Sequence, residues 1–475
     1  MEMKKENILH KISKAIVKAF KAFGRWFAFF GQHFVKGDIF TKLSFCILGL
    51  SNIVRGQVVK GLLFLGLETA YIFYMIEKGF HSLGGLKDLG THKQGMVMDK
   101  KLGIFVLQKG DNSMLILLYG VVALSITIVF ILLYRVGLKS ALAVQQTKEQ
   151  GKKPSSFRED VRDLFDKDLH KTLMSLPITG IILFTALPLF FMILIAFTNY
   201  DHDHQPPGNL FTWVGLKNFK TILFSGQTIS YTFWHILAWT FIWAIFATGL
   251  NYLGGILLAL LINRKETKGK GLWRTLFVIS IAVPQFVSLL VVRTMLNNSG
   301  AVNALLHQLG LIPQGTYLPF LSDPTWARIT VIIVNLWVGI PYTMLITTGI
   351  LSNIPADLYE SARVDGARPV TMFFKITMPY VLFVTTPYLI TQFIGNFNNF
   401  NVIYFLTAGR PDTLSYYQAG KTDLLVTWLY KLTTGQMKDY SFASTIGILV
   451  FVISAAFSLV TYRRTASYNR EEDFQ

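Results

Sequence analysis

Residues 114–134 read MLILLYGVVALSITIVFILLY, 21 positions without a charge. At 1.5 Å of rise per residue such a run reaches about 30 Å as a helix, the thickness of a bilayer's hydrocarbon core. Similar runs recur at roughly 58–77, 173–198, 233–261, 275–296, 327–351, 381–407 and 442–462, which predicts an all-α, polytopic bundle of about eight transmembrane helices. Composition agrees: of 475 residues, 52% are hydrophobic and only 15% charged. The net charge of +18 would suit a nucleic-acid binder, but a basic soluble domain does not carry repeated apolar runs of this length, so no nucleic acid is expected as a partner. The stretch SFCILGLSNIVRGQ (44–57) is apolar yet short and interrupted by Asn52 and Arg55, and is expected to re-enter or lie along the interface.

With a cytoplasmic N-terminus, the inside segments hold about 31 of the 45 Lys and Arg residues and the outside loops about 12, the asymmetry of the positive-inside rule. Both termini are then cytoplasmic, and most of the positive charge is a topology signal. The chain divides into a basic, interfacial segment (1–57), N-terminal membrane helices with a cytoplasmic linker (58–172) and a core (173–475). In 8–30, Ile8, Ile12, Ile16, Phe20, Phe23, Phe27 and Phe30 oppose Lys11, Lys14, Lys18, Lys21 and Arg25, the pattern of an amphipathic surface helix. Residues 157–173 carry Val161, Phe165 and Leu169 on one stripe, an elbow helix leading into the third span. The lysine-rich start lacks the pattern of a removable signal peptide.

Catalytic chemistry finds little support. Cys46 is the single cysteine, which leaves no disulfide framework and no cysteine-based metal site. The one His/Asp cluster, DHDH at 201–204, sits on a Pro-flanked loop without a further ligand and reads as solvated, so no metal is expected. SYYQAGKT (415–422) resembles the end of a phosphate-binding loop, but Ser415 stands where that motif needs glycine. No catalytic residue is assigned and no cofactor is expected on this chain; any ATP must be hydrolysed elsewhere. Arg293 and Glu68 are the ionisable groups inside spans, and no relay of acids and histidines crosses successive helices as proton coupling would need.

Between the sixth and seventh spans lies YESARVDGARPVTMFFKITMP, Tyr359 to Pro379. Pro355 suits the first turn of a helix to which Leu358, Ala362 and Val364 give apolar contacts; Gly366 permits a reversal, and Phe373, Phe374 and Ile376 add a second apolar group. Small residues at Ser361 and Ala362 allow close approach by a partner. This stretch resembles the EAA loop of permease subunits of binding-protein-dependent ABC importers, patterned Glu-Ala-Ala, three residues, Gly, nine residues, Ile, one residue, Leu-Pro. Glu360, Ala362, Gly366, Ile376 and Pro379 match, while Ser361 and Met378 depart mildly. The resemblance implies the fold of a type I ABC importer permease. It also implies a loop, here 355–380, that couples to a separate ATPase through Glu360, Ser361, Ala362, Asp365, Gly366, Ile376 and Pro379.

From about residue 173 onward the chain resembles the larger, MalF-type subunit of the maltose/maltodextrin permease family, in IAFTNYD, AVPQFVS, NLWVGIPY, GNFNNFNVIYFLTAGRPD and AGKTDLLVTWLYK. The implied partners are a second homologous permease (MalG-type), two ATPase subunits using ATP–Mg, and an extracellular sugar-binding protein. From the residues themselves, Asn335, Gly339 and Tyr342 share one helical face, with Pro341 expected to bend the helix, and Gln392, Asn396 and Asn399 repeat the spacing. Amides and aromatics suit an oligosaccharide's hydroxyls and ring faces; interhelical hydrogen bonding is the alternative use of any one of them. By resemblance, Asn335, Val338, Gly339, Tyr342, Asn396 and Asn399 match sugar-contacting positions, whereas Ile281, Gln285 and Gly395 replace the residues of that subunit. The expected substrate-binding set is therefore Asn335, Val338, Gly339, Tyr342, Asn396, Asn399, Gln285 and Gln392. The function this implies is oligosaccharide import, of maltodextrin or of another sugar such as a galacto-oligosaccharide. A membrane-embedded transferase and an ion-coupled carrier are the alternatives from other classes.

Overall fold

The computed structural model describes residues 24, 28–99, 103–264 and 266–463. Of the expected amphipathic helix at 8–30, residues 8–23 and 25–27 lie outside the described residues. The chain forms two compact units, Met1–Met192 with Pro206–Thr212, and Ile193–Gln205 with Trp213–Gln475.

In the first unit the long helices are α1 (Val58–Gly85) and α2 (Ser113–Glu149), followed by α3 (Leu169–Ile195), which runs on into the second unit. The 44–57 stretch does not cross as a helix: only Leu50–Val54 is helical within it, about 7 Å of rise. Its polar residues explain why. Ser51 Oγ donates to the Ala141 carbonyl (3.1 Å), Asn52 Nδ2 donates to Ser140 Oγ (2.9 Å), and Arg55 pairs with Asp38. Glu68 accepts the Leu48 N–H at 2.7 Å, so this intramembrane carboxylate is spent on a backbone donor of the same stretch. The elbow breaks at Asp166 instead of running as one helix: Phe157–Phe165 is opened by a Ser156/Glu159 capping box and ends at Asp166, and α3 starts afresh at Leu169. The fold is helical as expected, with one short addition between α1 and α2, an antiparallel hairpin of β1 (Gly95–Asp99) against β2 (Ile104–Gln108). The apolar runs Met96–Val97–Met98 and Ile104–Phe105–Val106, the second following Gly103 (φ 62°), are rich in residues that favour paired strands.

The second unit contains α4 (Thr228–Asn263), α5 (Lys270–Ala282), α6 (Gln285–Met295), α7 (Pro324–Leu351), α8 (Ala356–Val364), α9 (Met378–Phe397), α10 (Phe400–Thr407), α11 (Leu425–Thr434) and α12 (Tyr440–Arg463). Among the described residues seven helices are long and apolar enough to cross a membrane, and α5 with α6, bent by 89° at their junction, brings the number to eight if the pair is one broken span. The expected uninterrupted span at 275–296 is thus broken at Val283–Pro284. Proline removes a donor and its ring blocks the helix, and its predecessor Val283 is extended (ψ 129°).

Helix α4 is the centre of this unit. It packs against α7 and α9 and buries Phe233, Trp239 and Trp243. Lipid is as apolar as leucine, so helices associate there by close van der Waals fit, and small residues set the distance. Gly255 of α4 meets α7 so closely that a Cβ would overlap Thr343 and lie 2.9 Å from the Met344 nitrogen. At one end of the bundle, the 408–424 loop is tied down: Trp239 Nε1 donates to the Thr422 carbonyl (3.2 Å) and Arg328 Nε to that of Lys421 (3.0 Å). Buried Asp423 accepts from Gly420 N–H (2.7 Å), Thr427 Oγ1 (2.9 Å) and Lys431 Nζ (2.6 Å), while burial pushes its carboxyl above the usual carboxylate range against these partners.

Gly255→Val is expected to force α4 from α7 and destabilise the protein by about 1–3 kcal/mol or more. Thermal unfolding in detergent checks this; the exposed-glycine control Gly249→Val, with open space around its Cβ position, should leave the midpoint nearly unchanged.

Candidate functional site: two uncharged cavities around Tyr342

Two cavities lie in the second unit and share Tyr342. The first, about 240 Å³, lies between α4, α7 and α9 and is lined by Thr248, Asn251, Tyr252, Gly339, Tyr342, Thr343, Tyr388, Leu389, Gln392 and Asn396. The second, about 210 Å³, lies at the α5–α6 break and is lined by Ser280, Ile281, Ala282, Val283, Pro284, Gln285, Ser288, Trp337, Val338 and Tyr342. Neither lining contains a charged side chain.

The break explains the second cavity. Irregular backbone is tolerated at membrane depth where it lines a cavity or is covered by protein. The end of α5 and the first turn of α6 supply that polar backbone, and Gln285 at the start of α6 adds a carboxamide, 3.5 Å from Asn401 Nδ2. In the first cavity many polar groups already hold one another. Asn396 Nδ2 donates to Thr248 Oγ1 (3.0 Å), and Trp243 Nε1 to the Asn396 carbonyl (3.0 Å). The Tyr252 and Thr385 hydroxyls are 2.6 Å apart, and those of Thr343 and Tyr388 3.4 Å. This is a rigid frame of amides, hydroxyls and phenol rings, suited to a neutral polyhydroxylated ligand.

The residues expected from sequence separate into three sets. Gly339, Tyr342, Gln392 and Asn396 share the first cavity; Gln285, Val338 and again Tyr342 share the second. Asn335 is buried at 3% exposure outside both linings, and its Nδ2 finds no acceptor among the described residues. Asn399 is not on the face of Gln392 and Asn396, because α9 ends at Phe397. It stands at the N-cap of α10, where its oxygen accepts the Val402 N–H (3.1 Å) and its Nδ2 donates to Asn396 Oδ1 (3.4 Å). Helix α7 runs through Pro341 without a break. Sequence reasoning missed Thr248, Asn251, Tyr252 and Tyr388; the available signal was an amide within a span, three residues before the Gly254–Gly255 pair.

The EAA-like stretch folds as a helical hairpin. Helix α8 has Pro355 at its N-cap and closes through Gly366, whose φ of +76° is left-handed; Ala367 N–H reaches the Ala362 carbonyl at 2.9 Å. Ile376 lies in a π-helical turn, Phe373–Thr377, that leads into α9 with Pro379 in its first turn. Tyr359 and Thr377 hydroxyls, 2.9 Å apart, link the two arms. Contrary to expectation, Val364 is not packed among the described residues: it is 88% exposed, and Leu358, Val370 and Phe374 of the same hairpin are exposed as well. Glu360, Ser361, Asp365, Gly366 and Pro379 are exposed, and Ala362 and Ile376 half-buried. The remaining motifs resolve simply. Asp201 Oδ1 accepts from the Asp203 and His204 N–H groups and contacts His204 Nδ1 (2.7 Å), which makes a hydrogen-bonded turn. Among the described residues no group of three or more His, Cys, Asp or Glu is placed to hold a metal. The 415–422 stretch follows a loop, not a strand.

An apolar helical bundle with a broken span beside uncharged cavities is the build of a membrane transport protein. Residues 251–466 match the family described as the binding-protein-dependent transport system inner membrane component. The maltodextrin transport system permease protein MdxF of Bacillus subtilis is 35% identical over 436 residues, covering 90% of this chain and 95% of the relative. The galactooligosaccharides transport system permease protein GanP of the same organism is 35% identical over 431 residues (90% and 97%). The maltose/maltodextrin permease protein MalF of Escherichia coli is 38% identical over 281 residues, 58% of this chain and 53% of that protein. A crystal structure of a bacterial ABC transporter involved in alginate import shares the fold at a TM-score of 0.52 and 24% identity, over 64% of this chain and 97% of that one. The chain belongs to the binding-protein-dependent transport system inner membrane component family. It is a multi-pass transport subunit and not an enzyme, which sets aside the transferase and ion-coupled carrier readings.

Asn399→Ala is expected to uncap α10 and cost about 0.5–2 kcal/mol of stability, whereas Asn399→Asp keeps an acceptor and loses less. Paired thermal unfolding curves read the difference.

Proposed function

We propose that this chain is the permease subunit of an ATP-driven importer of neutral oligosaccharides, with maltodextrins or galacto-oligosaccharides as cargo. The carrying observation is the pair of uncharged cavities, built of amides, hydroxyls and aromatic rings, on both sides of Tyr342 at a broken membrane helix. Such walls match hydroxyls and ring faces and carry no charged side chain to pair with an ionic cargo. Relatives at equal identity bear maltodextrin and galactooligosaccharide names, which supports the sugar class and leaves both cargoes open.

The chain holds both termini in the cytoplasm, which turns α8 and its hairpin to the same side. There α8 docks on one of two ATPase subunits, and ATP–Mg is consumed in those partners. Exposed Leu358, Val364, Val370 and Phe374 on one hairpin support a docking role, because several large apolar side chains left exposed on a surface reversal are covered at a stable interface. A second, MalG-type permease completes the path, and an extracellular binding protein delivers the sugar; a bacterial alginate ABC transporter of this fold is solved in complex with an alginate pentasaccharide-bound periplasmic protein. Closure of the ATPases shifts α8, and the bundle alternates access around Tyr342.

Gly366→Pro, which forbids the +76° turn, and Glu360→Lys are expected to lower uptake of labelled oligosaccharide at least tenfold while the protein still reaches the membrane. Co-purification of an ATPase and a second permease with the wild type, and loss of the ATPase from both variants, is the accompanying result. Uptake and association at wild-type levels in both variants would contradict the coupling role.

A further inference from the structure

The sugar-path reading rests on α7 and α9, yet the wall that α4 contributes holds the group with the least satisfied chemistry. Asn251 is only 9% exposed, and its Oδ1 is buried without a hydrogen-bond donor among the described residues. Buried carbonyl oxygens in that condition are rare, because an acceptor taken from water and given no partner is destabilising. The other buried polar side chains of this cavity are engaged: Asn396 with Thr248, Tyr252 with Thr385, Thr343 with Tyr388.

The fold makes room for Asn251. At Gly339, on the facing helix α7, a Cβ would overlap the Asn251 carboxamide, so the missing side chain is the seat in which the amide sits. If α4 and α7 needed only a spacer at this level, a leucine would fill it at no polar cost. An amide kept there, lining a cavity and lacking an internal partner, has its partner in the cavity. At about 240 Å³ that space falls below the 300–1,000 Å³ usual for drug-sized ligands, so it takes one sugar ring and not a chain.

We propose that Asn251 is a specificity-determining residue of the transport path, which accepts a hydrogen bond from a hydroxyl of a single neutral pyranose ring held between α4, α7 and α9. The assignment rests on the sugar-path reading and extends it to a helix outside that reading. It also gives Gly339 a role through Asn251: alanine at 339 displaces the amide without removing it.

The test is equilibrium dialysis of radiolabelled maltotriose and galactobiose against the complex purified with its partner subunits, for wild type, Asn251→Leu, Gly339→Ala and Tyr342→Ala. Asn251→Leu and Gly339→Ala are expected to weaken the better-bound probe about tenfold, with assembly by gel filtration unchanged. Wild-type affinity in Asn251→Leu, with Tyr342→Ala weakened, overturns the role of Asn251 and leaves the path standing. Wild-type affinity in both Asn251→Leu and Tyr342→Ala, or no binding of either probe by the wild type, overturns the path and the assignment with it. If Asn251→Leu fails to assemble, Gly339→Ala decides: weakened binding in an intact complex supports the role, and wild-type binding overturns it.

Discussion

The close approach of α4 to α7 is the constraint on which the rest of the second unit depends. Hydrophobic burial cannot hold two helices together in lipid, so contact distance does, and contact distance here is set by residues without side chains. Gly255 lets the α7 backbone come near at Met344, and Gly339 returns the favour on the other helix by receiving Asn251. Their pairing fixes the floor of the first cavity, and the α5–α6 break opens the second on the other side of Tyr342. A tight seam and a broken span thus stand on either side of one phenol ring.

Much of this architecture was legible in the sequence, and what was legible is what hydropathy and short-range spacing report. The charge-free run at 114–134 sits inside α2. The reversal at Gly366 follows from a residue that alone adopts a left-handed turn at little cost. The break at Pro284 was less visible, because AVPQFVS reads as a continuous apolar segment until the chain turns by 89° within it. Proline inside α7 and α9, at Pro341 and Pro387, leaves helices that continue, so proline alone does not announce a break.

The candidate site was legible by residue type and less so by position. A periodicity of 3.6 assumes one uninterrupted helix, and α9 ends at Phe397, which turns Asn399 from a member of a face into a cap. Asn335 keeps its helix but is buried beyond the cavities. Conversely, Asn251 and Tyr252 enter the lining only through the tertiary contact with α7, which no spacing within α4 reveals. Of the positions that depart from the MalF-type pattern, Ile281 and Gln285 line the second cavity, whereas Gly395 is in neither lining.

The central claim is that work done by a separate ATPase enters this chain through α8. Its exposed Val364 gives direct access to the claim, because Cys46 is the only cysteine to remove. In a Cys46→Ser background, the thiol introduced by Val364→Cys is probed with a membrane-impermeant maleimide, on intact cells and on inside-out vesicles before and after the peripheral ATPase is stripped. The account predicts no labelling of intact cells, weak labelling of vesicles that retain the ATPase, and strong labelling once it is removed. Labelling from outside intact cells, or equal labelling of vesicles with and without the ATPase, would contradict it.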